Sequence, residues 1–392
     1  MTILNVGLIG CGNISTAYLT LAPTFKNIRF VAVSDMNEEA ALARGKEFGI
    51  KARTVSDLLA SDDIDIVVNL TIPDAHYDVT RRILESGKHA YTEKPLVLTL
   101  KQAKSLADLA ASKGLRIGSA PDTFLGGAHQ QARQIIDAGG IGTVTSGTAP
   151  FMGPGMEMWH PNPDFFFKPG GGPVLDMGPY YITNLVQLIG PVKRVAALSS
   201  SAQKQRTITS EPRAGETIPV QTPTNIHALL AFENGATITL STSWDVKAHR
   251  HANMELYGTT GTLFVPDPNH FGGALEQADA DGTITQVPVW DHPFGQMNWD
   301  LDKDTPRANY RTAGLADMAA GIVDNRPHRC ALELAVHVTD VMTSILKSGE
   351  TGQFVDMTTT CDRPAALGPD AARDLLKEDA WPIHPPKTAM KR

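Results

Sequence analysis

A lysine set between a glutamate and a proline, Glu93-Lys94-Pro95, ends the short run KHAYTE. An amine in that place can act as a base, or as a hydrogen-bond partner for a substrate hydroxyl, once it is withdrawn from water and pushed toward its neutral form. Pro95 fixes φ and removes a backbone donor, so the chain turns sharply and holds the lysine where the strand leaves it. Taken alone, the tripeptide reads equally as a solvated turn. A second group of candidates lies far downstream. Asp176 and Tyr180 are four residues apart and share one helix face after Gly170-Gly171-Gly172, and Asn184 continues the line. A phenol titrates near pH ~10, so Tyr180 exchanges protons at working pH only beside a cation, and Lys94 is a candidate for that cation. Alone, this stretch also reads as a dipole-favouring aspartate followed by a core tyrosine.

The elements that must place these groups are legible in the first third. LNVGLIG, IRFVAVSD, IDIVVNL, KHAYTE and LRIGS alternate with helical stretches, the signature of a parallel sheet with crossover helices. The first strand runs into Gly10-Cys11-Gly12-Asn13-Ile14-Ser15, a G-x-G-x-x-small turn that opens a helix. Gly10 permits the turn, Gly12 lets backbone approach a pyrophosphate, and Ser15 allows close helix packing. Asp35 ends the second strand, where a carboxylate accepts from both ribose hydroxyls and repels a 2′-phosphate. NAD is therefore the expected cofactor, with Arg44 on the following helix leaving NADP open. In such a sheet ligands bind outside the carboxyl ends of the strands, which is where Glu93 and Lys94 emerge. Glu93 then either orients the lysine or lines the cofactor site. Asp122 and Thr123, after the last of these strands, fall near nicotinamide or substrate.

Beyond residue 122 the pattern changes to long β-rich segments with hairpin chemistry, such as Glu233-Asn234-Gly235. The expected fold is α/β: an N-terminal Rossmann domain over 1–122 and a C-terminal α+β domain with an open, mostly antiparallel sheet over 123–367. Late helical stretches are expected to pack back near the first domain, and a loosely held tail covers 368–392. One face of the open sheet needs cover, which predicts a homo-oligomer, a dimer or tetramer. Net charge is −7 and the pI about 5.9, giving no footprint for nucleic acid or anionic membrane. Three scattered cysteines, no leader-like start and no bilayer-length apolar run read as a cytoplasmic protein. His249 and His251 lack a third ligand at convincing spacing, so no metal is expected.

The residues VGLIGCGNIS, VAVSD, NLTIPDAHYDV, EKP and GGGPVLDMGPYYITNLVQLIGPV together resemble the glucose-fructose oxidoreductase, inositol dehydrogenase and MocA (Gfo/Idh/MocA) family, to about Leu367. The resemblance implies hydride transfer between NAD(P) and a sugar or cyclitol, with Lys94 beside the reacting carbon. It implies that Thr71, Pro73 and His76 edge the cofactor site alongside Gly10, Cys11, Gly12, Asn13, Ile14, Asp35, Glu93 and Lys94. It also implies that Asp176 binds a substrate hydroxyl and that the residue four later exchanges the proton. Many members have histidine there, and this chain has Tyr180, so the acid–base role is shared between Lys94 and Tyr180. The loop MEMWHPNPDFFFKPGGGP is suited to stacking on a sugar through Trp159 and His160, or equally to packing at a subunit interface. Two rival readings remain, a dinucleotide-dependent sugar sensor without turnover and glycoside cleavage through transient oxidation by NAD. Retention of Lys94, Asp176 and Tyr180 together weighs against the sensor.

Overall fold

The computed structural model describes residues 2–299 and 307–378. Its first layer is built from β1 (Leu4–Ile9), α1 (Asn13–Leu21), β2 (Ile28–Ser34), α2 (Glu38–Phe48), β3 (Lys51–Ala52), α3 (Val55–Ala60), β4 (Ile66–Asn69), α4 (His76–Glu85), β5 (His89–Thr92), α5 (Leu100–Lys113) and β6 (Ile117–Ser119). The six strands pair in parallel in the order β3-β2-β1-β4-β5-β6. The order reverses between β1 and β4, which opens a crevice at their carboxyl ends. All four residues of β4 are buried, as a central strand covered on both faces requires.

The second domain contains α6 (Gly127–Asp137), β7 (Val144–Met152), α7 (Pro173–Ile189), β8 (Val192–Ser200), β9 (Gln205–Thr207), β10 (Thr217–Pro219), β11 (Asn225–Phe232), β12 (Thr237–Ser243), β13 (Met254–Gly258), β14 (Thr262–Val265), β15 (Glu276–Ala278) and β16 (Ile284–Gln286). α8 (Ala313–Val323), α9 (Leu332–Thr351), β17 (Val355–Asp356) and α10 (Pro369–Arg373) follow. Nine strands form one sheet, β16-β15-β14-β13-β7-β12-β11-β8-β17, antiparallel at every pairing except β7 with β12. The Asn234-Gly235 turn joins β11 to β12, with Gly235 at φ 91° and Asn234 Oδ1 accepting from Ala236 N at 3.0 Å. α7 lies across β7, β11 and β12, and α9 covers β8 while also touching α5 and β6 of the first domain. On the opposite face the period-two alternation leaves Leu229 (48% exposed) and Leu198 (74% exposed) open to water.

The tail departs from the sequence expectation. Through residue 378 it is docked rather than loose: Lys26 N donates to Leu375 O (3.1 Å), Lys377 N donates to Thr24 O (2.9 Å), and Ala372 is fully buried. Its proline and charges read as a solvated tail, whereas Ala372, Leu375 and Leu376 join the core. The remainder of the expected tail lies outside the described residues.

Two core histidines contribute to how the fold responds to acid. His129 Nε2 is 2.7 Å from the His270 carbonyl and its Nδ1 is 3.2 Å from Asn184 Nδ2. His292 Nε2 is 2.9 Å from the Leu367 carbonyl, and its Nδ1 accepts from Phe294 N at 3.1 Å. One donor and one acceptor per ring is the neutral form. Burial pushes each from the ordinary 6.5 down to about 4. The unfolded rings take up protons below 6.5 and the folded ones only near 4. Stability is therefore complete above the upper value and is lost as pH falls toward the lower, on the order of 3 kcal/mol per histidine. The melting temperature is expected to drop steeply across that interval and less steeply in His292→Gln. A melting temperature that stays flat there contradicts the assignment.

Candidate active site

The cofactor end is built by the turn between β1 and α1. Gly10 has φ 106°, and a Cβ there would lie 2.6 Å from the Leu70 carbonyl carbon and oxygen, so only glycine lets this turn press on the end of β4. A Cβ on Gly12 would meet no heavy atom within 4 Å. Gly12 caps α1 with no side-chain cap bond, and the first turn holds no acidic residue. The leading N–H groups of α1 are thus left for an anion, which fits a dinucleotide pyrophosphate. Cys11 and Ile14 turn inward; burial first, then Asp35, raises the Cys11 thiol to about 11, so it stays neutral. Asn13 is exposed at the mouth of the turn. Asp35 accepts from Cys11 N (2.7 Å) and Asn37 N (2.9 Å), which locks its carboxylate beside the turn where a ribose would lie. Arg44 is tied to Glu47 (2.6 Å) and leans on the Gly12 carbonyl (3.3 Å).

The loop after β4 is a brace. Thr71 donates to Asn69 Oδ1 (2.7 Å), and its backbone lies against Gly10. Pro73 begins a short 3-10 turn and stays half-buried. His76 corrects the sequence expectation. Its ring is 1% exposed, with Nδ1 2.7 Å from the Pro95 carbonyl and Nε2 2.9 Å from the Thr71 carbonyl. In the neutral form that burial favours, the ring donates to one of these carbonyls and only packs against the other, so His76 is a buried brace between the Glu93-Lys94-Pro95 turn and the β4 loop. Glu93 is likewise fastened, accepting from Tyr18 Oη on α1 (2.9 Å) and from Lys94 N (3.0 Å). The helix of the glycine turn and the end of β5 are thereby coupled.

Lys94 meets the downstream motif. Its Nζ is 2.8 Å from Asp176 Oδ1 and 3.1 Å from the Asp176 carbonyl, and it lies 5.3 Å from the centre of the Tyr180 ring. Gly172, at φ 93°, starts α7 so that Asp176 and Tyr180 fall one turn apart on the face toward β5. Burial disfavours the ammonium, but Asp176, then Tyr180 and Glu93, outweigh it and hold Lys94 above its ordinary value. The expected drift of this amine toward neutrality is therefore reversed, because its counter-ion is in direct contact. Lys94 is a cation that donates.

Other predicted residues divide. Asn184, next along α7, is fully buried and bonds to Gln187 (3.0 Å) and His129 rather than to the site. Asp122 is also corrected. It is 2% exposed, and its Oδ2 accepts from Thr312 N (3.0 Å) and Gly314 N (3.1 Å), holding the start of α8. Burial raises this carboxyl to about 6 against those bonds. Thr123 is buried in a 3-10 turn beside it. His160 is enclosed edge-on by Trp159 (5.4 Å), Phe165 (5.4 Å) and Phe166 (5.3 Å). Burial lowers its pKa against the opposing charge of Asp176, which places it on the site side, and Trp159 stands at the rim, 63% exposed. His249 and His251 stack 5.9 Å apart at the surface. Among the described residues no group of three His, Cys, Asp or Glu side chains could hold a metal.

The sequence reading missed Arg311. Its guanidinium contacts Asn309 Oδ1 and Asn269 Oδ1 at 3.4 Å each and lies within electrostatic reach of Tyr180, Glu93 and Asp122. Nothing in RANYRTAGLAD marks it, since the arginine reaches the site only through the tertiary path into α8.

Comparison with known proteins agrees with this architecture. Residues 4–120 match a family model described as an oxidoreductase family with an NAD-binding Rossmann fold, and residues 129–264 match the GFO/IDH/MocA C-terminal domain. A levoglucosan dehydrogenase of Pseudarthrobacter phenanthrenivorans is 27% identical over 331 residues, covering 76% of this chain and 83% of the relative. A 1,5-anhydro-D-fructose reductase of Ensifer adhaerens is 22% identical over 360 residues, covering 90% of this chain and 98% of its own. A solved levoglucosan dehydrogenase in complex with NADH and L-sorbose shares the fold, with a TM-score of 0.77 at 23% identity over 92% of this chain and 100% of that one. The two matched models adjoin where the parallel sheet gives way to the open one, and by both of them this chain belongs to the Gfo/Idh/MocA family of oxidoreductases, with an NAD-binding Rossmann domain.

Proposed function

We propose that the protein is an NAD-dependent dehydrogenase of a sugar or cyclitol hydroxyl. The observation that carries this reading is the Lys94–Asp176 ion pair at 2.8 Å, with Tyr180 one helical turn on and facing the lysine. When bound, nicotinamide supplies the hydride acceptor. Asp176 accepts from a substrate hydroxyl, and Lys94, held charged, donates to the oxygen of the reacting carbinol. The carbinol hydrogen leaves carbon with its electron pair, the O–H proton passes to the Tyr180 oxygen, which takes it as the phenolate, and the C–O bond becomes a carbonyl. A permanently charged Lys94 is ill suited to take that proton and well suited to stabilise the oxygen as negative charge grows on it. Trp159 and His160 offer flat apolar and polar edges for the rest of the ring. The sugar or cyclitol class accords with relatives named levoglucosan dehydrogenase and inositol 2-dehydrogenase.

The test is a panel of aldoses, ketoses and inositols with NAD and with NADP, read by absorbance of the reduced coenzyme. NAD is expected to be preferred, because the fixed Asp35 carboxylate matches a ribose diol and repels a phosphate. Binding of NAD without reduction by any member of the panel would favour a sensor instead.

We also propose that the protein is a homo-oligomer that buries the open face of the nine-stranded sheet. Leu198 and Leu229, on a pleat shared with Ala196 and Ala231, are apolar surface whose removal from water favours association. Light scattering at micromolar concentration is expected to give a dimer or tetramer mass, and Leu229→Lys to shift it toward the monomer. A monomer mass for the unaltered protein rejects the proposal.

A further inference from the structure

We propose that Arg206 is a positioning residue for the substrate: from the small β9–β10 arm its guanidinium fixes the loop that carries Trp159 and His160, and so sets how tightly the cleft holds the ring of its substrate. The inference rests on the reading of Trp159 and His160 as substrate contacts.

The arm lies between β8 and β11, and its two strands pair with each other outside the nine-stranded sheet. It holds the aromatic loop along its whole length. At the near end Arg206 Nη1 donates to Glu157 Oε1 at 2.7 Å and to the Pro154 carbonyl at 3.2 Å. Its Nη2 donates to the Trp244 carbonyl at 3.0 Å and to the Asp245 carboxylate. Thr209 N donates to the Glu157 carbonyl at 3.0 Å, and Ser210 Oγ donates to the His160 carbonyl at 2.6 Å. Further along, Arg213 pairs with Asp164. At the far end Gln221 N donates to the Phe167 carbonyl at 2.8 Å, and Gly172 N, just before α7, donates to the Phe166 carbonyl at 2.8 Å. The loop therefore runs from the Arg206 bonds straight to the start of the helix that carries Asp176 and Tyr180.

Cohesion in this region is already supplied by apolar packing. Phe166, Phe167, Ile208, Ile218 and Trp244 form a buried cluster, and the Arg206 guanidinium lies 5.3 Å from the centre of the Phe167 ring. A buried guanidinium with two carboxylates is a weak source of stability, since desolvation takes back much of what their attraction gives, and apolar side chains of similar volume serve as well. What the charges add is direction. The planar fork meets carboxylates from two segments, Glu157 in the loop and Asp245 after β12, so the loop has one register on the sheet. Asp245 is fixed in turn by Thr224 Oγ1, which donates to it at 2.7 Å. Trp159 depends on that register. It is exposed at the rim and rests edge-on against His160, whose carbonyl the arm holds, so its place is inherited from the loop.

The test uses Arg206→Met, Arg206→Lys and Ser210→Ala with the panel sugar that is turned over best. Arg206→Met is expected to raise KM for the sugar by ~10-fold or more, with kcat within ~3-fold and KM for NAD unchanged. A loss of folded protein would lower kcat and leave KM alone, so the split separates positioning from stability. In a Trp159→Ala background Arg206→Met raises KM by less than ~3-fold, since the contact it places is gone. Arg206→Lys, which reaches one carboxylate rather than two, falls between. Ser210→Ala keeps the ion cluster, is expected to raise KM by ~2–5-fold, and carries the comparison if Arg206→Met does not fold. A readout free of turnover separates this inference from the dehydrogenase reading. In protein labelled with 5-fluorotryptophan, the Trp159 signal, assigned by its loss in Trp159→Phe, is expected to move in Arg206→Met while those of Trp290 and Trp299 stay. An unmoved Trp159 signal, or an unmoved KM for the sugar, overturns the proposal even if the enzyme oxidises sugars. A displaced signal sustains it even if no sugar is turned over, in which case the dehydrogenase reading fails and the placement of the loop does not.

Discussion

Lys94→Met is expected to reduce turnover by roughly 10²–10⁴ while leaving NAD affinity nearly intact. The two effects separate because the two ends of the cofactor are held by different elements. The anion site is the Gly10 to Ser15 turn with the uncapped start of α1, and Lys94 contributes nothing to it. Methionine keeps the length of the stem and removes the charge that stabilises the reacting oxygen, a loss felt mainly in the transition state. It also strands Asp176, whose side chain is 16% exposed and can recover water or a proton. The fold is therefore expected to survive, and His76, Glu93 and Tyr18 still brace the turn. The check is kcat by absorbance beside NAD titration by calorimetry. An active Lys94→Met enzyme would return Glu93-Lys94-Pro95 to a plain turn. A lost NAD site would make the lysine a binding residue first.

What could be read in the sequence was what depends on local pattern. The parallel sheet follows from βα alternation, and the glycine turn and Asp35 follow from conformational demands that few other residues meet. The convergence of Lys94 with Asp176 and Tyr180 was legible because a strand end and a helix face at fixed spacing each project their groups in known directions. Tertiary accounting was not legible. Asp122 looked like a site residue because it follows a strand at the crevice, yet two amides from α8 claim it. His76 is near the cofactor turn in the chain, but its ring is buried between the Pro95 and Thr71 carbonyls. Arg311 carries no pattern of its own, and only the fold brings it to Tyr180. The state of Lys94 depends on tertiary contacts that no local pattern shows: burial disfavours its charge, and Asp176, with Tyr180 and Glu93, outweighs it.

Tyr180→Phe is expected to cost about as much as Lys94→Met, ~10²–10³ in kcat, and to do something the lysine variant does not. If the phenol carries the proton, phenylalanine abolishes the rising limb of the pH profile, because the titrating group is gone. Lys94→Met keeps that limb and moves it upward, since removing a cation from the face of the ring disfavours the charged phenol. The packing change is small: Tyr180 is 7% exposed, and phenylalanine fills nearly the same volume. A general loss of stability would lower activity at every pH alike and leave the limb where it was. If Lys94 were itself the base, Tyr180→Phe would keep the limb and lose little, and Lys94→Met would erase it. The Asp176 contact favours the first of these outcomes. A lysine held charged by a counter-ion at 2.8 Å would have to lose a proton from that pair before accepting one, whereas Tyr180, with its ring centre 5.3 Å from the ammonium, has no such pair with Lys94 to break.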